Sequence, residues 1–361
     1  AYYIGSGKLN ELKNAVEHTS ANLIIFDHEL TPAQHRNLEE DLATNVMDRT
    51  QLILNIFSQH AHTKESKLQV EKAQLEYLLP RLTGKGEELS RLAGGIGTRG
   101  PGESKLETDR RRISKRIHNL EEKLEKVKQN REVQRKERND PLVALVGYTN
   151  AGKSTLMNLL TGSNNEVANK LFATLDSTLR NMQLPNGREI ILTDTVGFID
   201  NLPHQLVASF RATLEEIKKA DLILHVVDSS NPQAEKHIKV TNEVLKDMNV
   251  DDIEKLIVFN KIDKCQKGEL KSLELQYPDH LSISSLTGEG KDKLLEKIKA
   301  ILEKSLVKAN LKLPYNKANW IEKIHNKGQV IEEKYSEGYI FIKAKIPKKF
   351  AQILSKYIIE N

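Results

Sequence analysis

Eight residues carry the strongest chemical signal in this chain: Gly147-Tyr148-Thr149-Asn150-Ala151-Gly152-Lys153-Ser154 fit the pattern G-x-x-x-x-G-K-[ST]. An apolar run, "LVALV", directly precedes them and a helical run directly follows, which is the strand–loop–helix context that gives such a match meaning. Glycines let the loop turn its backbone N–H groups inward as an anion-binding nest, and the helix N-terminus adds partial positive charge. Lys153 is expected to reach the β- and γ-phosphates of a nucleotide, and the Ser154 hydroxyl to ligate Mg²⁺.

Which nucleotide is read from "FNKID", where Asn260, Lys261, Ile262 and Asp263 end an apolar strand-like run. A carboxylate at Asp263 accepts both N1–H and the exocyclic amine of guanine, whereas adenine offers no such donor pair on that edge. Between the two motifs stands Asp194-Thr195-Val196-Gly197. Asp194 is placed to hold Mg²⁺ through water, and the Gly197 N–H to sense a γ-phosphate. "SSLTGEG" then offers backbone N–H groups at Ser284, Ser285 and Leu286 to close over the base. Together these motifs predict a site for GTP or GDP with Mg²⁺. The residue after Gly197 is Phe198, whose ring cannot hydrogen-bond an attacking water, so intrinsic hydrolysis is expected to be slow.

These residues need a scaffold. From 141 to 304 apolar strand-like runs alternate with helical ones, which predicts an α/β domain with a mainly parallel sheet and helices on both faces. Residues 1–48 read as a small α/β unit, with Thr31 as N-cap and Pro32 at the first helical position. "GSGK" at 5–8 lacks the full phosphate-loop spacing and is read as a plain turn. From 49 to 140 the pattern is helical: Leu68, Leu75, Leu82 and Leu89 form one stripe, and Ile113, Ile117, Leu120, Leu124 and Val127 a second. Two long helices packed as an antiparallel hairpin would bury both. The tip between them, Gly94 to Gly102, is glycine-rich and permits close backbone approach. Over 103–140 there are 13 basic residues against 9 acidic ones. Residues 305–361 read as a small α+β domain, in which Trp320 and Tyr315 are assigned to core packing rather than to RNA stacking.

With these motifs in place, the chain resembles the HflX family, within the Obg-like and Era-like group of P-loop GTPases. The resemblance rests on "GYTNAGKSTL", "LFATLDSTLR", "DTVGFIDNLPHQLVASFRATLEE" and "NKID", and outside the GTPase domain on "GTRGPGE" and "LQVEKAQLEYLLPRL". It implies a GTPase that binds the large ribosomal subunit and separates stalled or idle ribosomes into subunits. Within "LFATLDSTLR", spacing alone leaves Thr174 and Thr178 as equal candidates for a threonine that meets Mg²⁺ and the γ-phosphate. The resemblance assigns Thr174, with Phe172, Ala173, Leu175 and Asp176 beside it. It also places the tip, with Arg99 between Gly97 and Gly100, against ribosomal RNA at the peptidyl transferase centre. Asn150 resembles the P-loop asparagine of potassium-activated GTPases, which would give it a part in catalysis through K⁺; a loop-stabilising amide is the equal alternative.

Composition sets outer limits. The net charge of +5 among 361 residues suits a polyanionic partner without requiring one. No apolar run approaches the roughly 20 residues of a membrane span. A single cysteine, Cys265, and no visible signal peptide point to a cytoplasmic protein, expected to be a monomer. The chain begins at Ala1 in a strand-like run, so further N-terminal sequence is expected to precede it. Two rival functions stay open: a nucleotide-locked RNA-binding module for large-subunit assembly, and an ATP-dependent RNA remodeller, against which the lack of a second intact P-loop counts.

Overall fold

The computed structural model describes residues 2–82, 105–136, 140–163, 178–200, 216–250, 252–304, 306–317 and 319–359. These fall into two compact units, one reaching to residue 133 and one running from residue 134 onward.

In the first unit, α1 (Ser6–Thr19), β1 (Leu23–Phe26), α2 (Pro32–Leu42) and β2 (Asn45–Asp48) form a two-stranded parallel α/β layer. Its core is Leu9, Phe26, Leu30, Leu38, Leu42 and Val46. Ser6, Gly7 and Lys8, expected as a turn, lie in the first turn of α1, where Lys8 pairs with Glu11 at 2.7 Å. Thr31 caps α2 as expected: its hydroxyl accepts from Gln34 N, and the Gln34 side chain accepts from Thr31 N.

The helical region differs from the expected pair of long helices. Its first arm is broken into α3 (Arg49–His60) and α4 (Lys64–Leu78), because Thr63 caps a new helix start. A single 3₁₀ turn holding Pro80, which has no N–H to donate, then ends it. The stripe therefore stops being helical before Leu82, although Leu68 and Leu82 are both buried. Leu89 and the glycine-rich tip lie outside the described residues. The second arm, α5 (Lys105–Lys136), is one helix of 32 residues, about 48 Å long at 1.5 Å per residue. Leu120 is fully buried, and Arg116 and Glu121 reach Glu71 (2.6 Å) and Lys72 (3.3 Å) of α4.

Asp48 holds this unit together. It is fully buried, accepts from Leu30 N (3.1 Å) and Gln51 N (2.8 Å), and faces Arg81 at 3.5 Å. Asp48→Ala removes the cap of α3 and leaves a nearly buried guanidinium with only the half-exposed Glu29, at 4.0 Å, as counter-ion, so it is expected to destabilise the chain by about 3 kcal/mol. A thermal melt followed by circular dichroism tests this; an unchanged midpoint would refute the role.

The second unit holds a six-stranded sheet in the order β4-β5-β3-β6-β7-β8, with β3 (Leu142–Val146), β4 (Thr178–Gln183), β5 (Glu189–Asp194), β6 (Leu222–Asp228), β7 (Lys255–Asn260) and β8 (His280–Ser282). All neighbours run parallel except β4, which is antiparallel to β5. β4 leaves no signature in the sequence because an edge strand buries little: "TLRNMQ" has no apolar run, and only Met182 in it is buried. The helices α6 (Lys153–Thr161), α7 (Ala234–Asp247), α8 (Lys267–Gln276) and α9 (Lys291–Lys304) alternate with the strands. Leu145, Leu156, Leu192, Leu224, Val258 and Ile298 are among the residues of its main core.

The same unit continues into a three-stranded antiparallel sheet, β10-β11-β9, made of β9 (Leu306–Pro314), β10 (Gln329–Ser336) and β11 (Tyr339–Pro347). Helices α10 (Asn319–Lys327) and α11 (Lys348–Ile353) supply Ile324 and Phe350 to its core. Trp320 packs on that core, its ring 5.7 Å from Phe350, as expected. Tyr315 does not: it is 48% exposed and donates its hydroxyl to the Ser336 carbonyl.

Candidate nucleotide site

Strand order alone locates the site. From β3 the chain moves to β5 on one side and then to β6 on the other, so the loop after β3 sits where the sheet's winding reverses, the place where open α/β sheets bind ligands. That loop is Gly147 to Ser154. Gly152 precedes α6 at φ +93°, and a Cβ there would overlap the Asn260 amide nitrogen. At Gly197 a Cβ would lie 2.8 Å from Thr149 Cα and 3.1 Å from Lys153 Nζ. Only glycine lets the DTVG backbone press this closely on the loop and its lysine. Phe198 completes the join, its carbonyl accepting from Thr149 N (2.8 Å) and its N–H donating to Gly147 O (3.1 Å). The Phe198 ring is buried.

Lys153 is 6% exposed, and its ammonium donates to the carbonyls of Gly147 (3.0 Å) and Tyr148 (2.9 Å). Burial pulls its pKa down to about 8, against the opposing pull of Asp194. His225, buried on β6, is pushed down to about 3 by burial and by the charges of Lys153 and Lys255. Positive charge is thus costly beneath this loop, and a bound polyanion offsets that cost. Beside the lysine, the Ser154 hydroxyl donates to Asp194 Oδ2 at 2.7 Å. A hydroxyl and a carboxylate are hard oxygen donors suited to Mg²⁺. Thr195 turns inward, donating to Leu145 O, and Val196 is buried.

The NKID segment closes the other side. Asn260, 1% exposed, donates to Ala151 O (2.8 Å) and accepts from both the N–H and the hydroxyl of Ser285. Lys261, at φ +63°, donates to Asn150 O (2.7 Å) and Asp228 (2.6 Å). Asp263 is exposed, and its Oδ1 accepts from the Ser284 hydroxyl at 2.6 Å. Of the three N–H groups expected to close over a base, Ser284 gives its own to Glu289 O and Ser285 to Asn260, leaving Leu286, 74% exposed, with no partner among the described residues. Asn150 itself sits at φ +61°, which asparagine tolerates, and its side-chain amide makes no hydrogen bond among the described residues.

Two groups escaped the sequence reading. Asp228 and Ser229, at the end of β6, hold Lys261 and Asn260; the strand-terminal "DSS" was the available signal. Tyr148 lies flat on His237, ring centroids 3.7 Å apart, and its hydroxyl accepts from Asp200 N. No local pattern announces that pair. Of the threonines in "LFATLDSTLR", Thr178 opens β4 opposite Asp194, whereas Phe172, Ala173, Thr174, Leu175 and Asp176 lie outside the described residues, as do Gly97, Arg99 and Gly100.

Comparison with known proteins agrees along the whole chain. Four family models match in order: "GTP-binding GTPase N-terminal" over 1–58, "GTP-binding GTPase Middle Region" over 60–138, "50S ribosome-binding GTPase" over 142–261 and "HflX C-terminal domain" over 271–358. GTPase HflX of Caldanaerobacter subterraneus subsp. tengcongensis is 49% identical over 362 residues, covering 99% of this chain and 83% of its own. GTPase HflX of Escherichia coli is 42% identical over 353 residues, covering 96% and 83%. A GTP-binding protein from Sulfolobus solfataricus, solved in complex with GDP, is 29% identical, covers 83% of this chain and 86% of its own, and has a TM-score of 0.47. With relatives this similar over nearly all of this chain and 83% of their own, this protein belongs to the HflX family of P-loop GTPases.

Proposed function

We infer that this GTPase binds the large ribosomal subunit and uses GTP-controlled binding to split stalled or idle ribosomes. The observation that most supports its GTP-controlled part is the convergence of loop 147–154, Asp194 and NKID at the winding reversal of one sheet. There Lys153 meets the β- and γ-phosphates, the Gly197 N–H meets the γ-phosphate, and Asp263 takes the guanine edge while the Leu286 N–H closes over it. Ser154 and Asp194, with Thr174 by resemblance, would hold Mg²⁺, which neutralises and orients the phosphates. Among the described residues no group of three His, Cys, Asp or Glu could hold a metal; a Mg²⁺ site of this class needs only one or two protein oxygens and the substrate's phosphates. A buried Phe198 supplies no polar group to water, so the chain alone turns over slowly.

The ribosomal partner is supported by the description of the model matching 142–261. Among the described residues no helix is long and apolar enough to cross a membrane. Phosphate release with and without purified large subunits tests enzyme and partner together; a rate unmoved by subunits would sink the reading. Replacing residues 94–102 by a short neutral linker is expected to leave GTP affinity intact and to abolish subunit separation, read by light scattering. Unaltered splitting would reduce the tip to a connector.

If the Asn150 amide helps seat K⁺ beside the phosphates, hydrolysis is expected to run faster in potassium than in sodium at equal ionic strength. The effect is on the order of tenfold, below the roughly 10²–10³-fold of a dedicated preorganised donor, since sodium carries the same charge and differs from potassium only in fit. Identical rates would return Asn150 to its backbone role at positive φ.

A further inference from the structure

The C-terminal sheet has two unlike faces. Ala309, Leu311 and Leu313 of β9 and Ile340, Ile342 and Ile346 of β11 point inward, where Ile324, Phe350 and Leu354 cover them. The opposite face is set by register. Directly opposed residues of antiparallel strands share a face, so the pairings define four rungs across it. Ser336, Tyr339 and Pro314 make the first, and Lys334, Phe341 and Lys312 the second. The third is Glu332, Lys343 and Asn310; the fourth is Gln329, Lys345 and Lys308.

Five lysines thus share one face with a single carboxylate, Glu332, which is bonded to Lys334 at 2.5 Å. Lys308, Lys312 and Lys343 are exposed and make no ion pair among the described residues. Along the central strand the same face carries Tyr339, 43% exposed, and the half-buried Phe341, two residues apart. The Lys312 ammonium lies 4.2 Å from the Tyr339 ring centroid and 5.6 Å from that of Phe341. Solubility alone accounts for lysines on an open sheet face, but not for two aromatic rings in the middle of them.

We propose that this face binds single-stranded RNA, with Tyr339 and Phe341 stacking on unpaired bases and the flanking lysines tracking the phosphates. Adjacent aromatics on an open sheet are a stacking platform, and lysines around them supply the salt-dependent attraction to the backbone. A duplex hides its base faces and would leave the rings unused. An acidic protein would need the lysines only. The proposal rests on the ribosomal reading solely for the identity of the natural RNA; the face itself is tested without ribosomes.

The test uses the full chain, GDP-bound, with a short fluorescein-labelled oligouridine, an RNA duplex of equal length, and polyglutamate. Tyr339→Ala with Phe341→Ala is expected to weaken oligouridine by roughly ten- to a hundredfold and to leave duplex binding within about twofold, because stacking is lost and charge is kept. Lys343→Glu with Lys345→Glu is expected to weaken both RNAs and flatten the salt dependence. These side chains lie on the outer face, and an unchanged thermal melt, beside unchanged GDP affinity, confirms folding of each variant. Oligouridine binding untouched by both pairs overturns the proposal. So does an equal loss of duplex and single strand in the ring variant, or polyglutamate binding that outcompetes RNA and disappears in the charge variant. Stimulation of hydrolysis by large subunits is measured separately, so failure of the ribosomal reading leaves the oligouridine result standing.

Discussion

Asp263→Asn is expected to weaken GTP by on the order of 10²–10³-fold and to make the site prefer xanthosine triphosphate. The Ser284 hydroxyl, 2.6 Å from Oδ1, fixes the orientation of this exposed carboxylate. In the proposed pose its oxygens take N1–H and the exocyclic amine of guanine. Bonds to a charged acceptor contribute about 1.5–3 kcal/mol each, and a pair of them accounts for a discrimination of that size. Asparagine replaces one acceptor by a donor. It then faces the guanine amine donor to donor, whereas xanthine carries a carbonyl at that position and accepts. Competition against a fluorescent GDP analogue measures the switch. Equal loss of both nucleotides would mean that Asp263 supports the loop rather than reads the base.

Lys153→Met is expected to lower kcat/KM for GTP by on the order of 10²–10³-fold, the usual loss when one preorganised donor to a developing charge is removed. The same substitution is expected to leave the nucleotide-free protein at least as stable as the original. The ammonium is buried against two carbonyls, and burial has pulled its pKa from 10.5 to about 8. Between about pH 8 and 10.5 the unfolded chain therefore binds more protons than the folded one, and stability rises with pH across that window, by at most about 3 kcal/mol. Lys153→Met is expected to abolish this rise, and bound GTP to suppress it, because phosphates hold the proton in place. Urea denaturation at several pH values, with and without GTP, decides it. A slope that persists in the variant would assign the proton to another group.

The chemistry of the site was legible in the sequence because it resides in short contiguous runs. Gly147–Ser154, Asp194–Gly197 and Asn260–Asp263 each bring their donors and acceptors to one loop, and the strands that position them are apolar runs buried on both faces of the sheet. A backbone nest and a strand-end carboxylate need only their immediate neighbours, so local pattern suffices for them. What lay beyond the sequence has the opposite character. That Asn260 clamps Ala151 and Ser285, that Lys261 bridges Asn150 and Asp228, and that Tyr148 rests on His237 depend on partners brought together only by the sheet order. The edge strand β4 and the break before α4 were hidden for a second reason. An edge strand buries too little to show an apolar period, and a capping threonine inside a leucine-rich stretch is outweighed by the stripe around it. The basic and aromatic face of β9, β10 and β11 unites both reasons: each strand alone reads as alternating polar and apolar residues, and only the register sets Phe341 between Lys312 and Lys334. Periodicity tells which side of a strand is wet, whereas pairing between distant segments decides what the wet sides have in common.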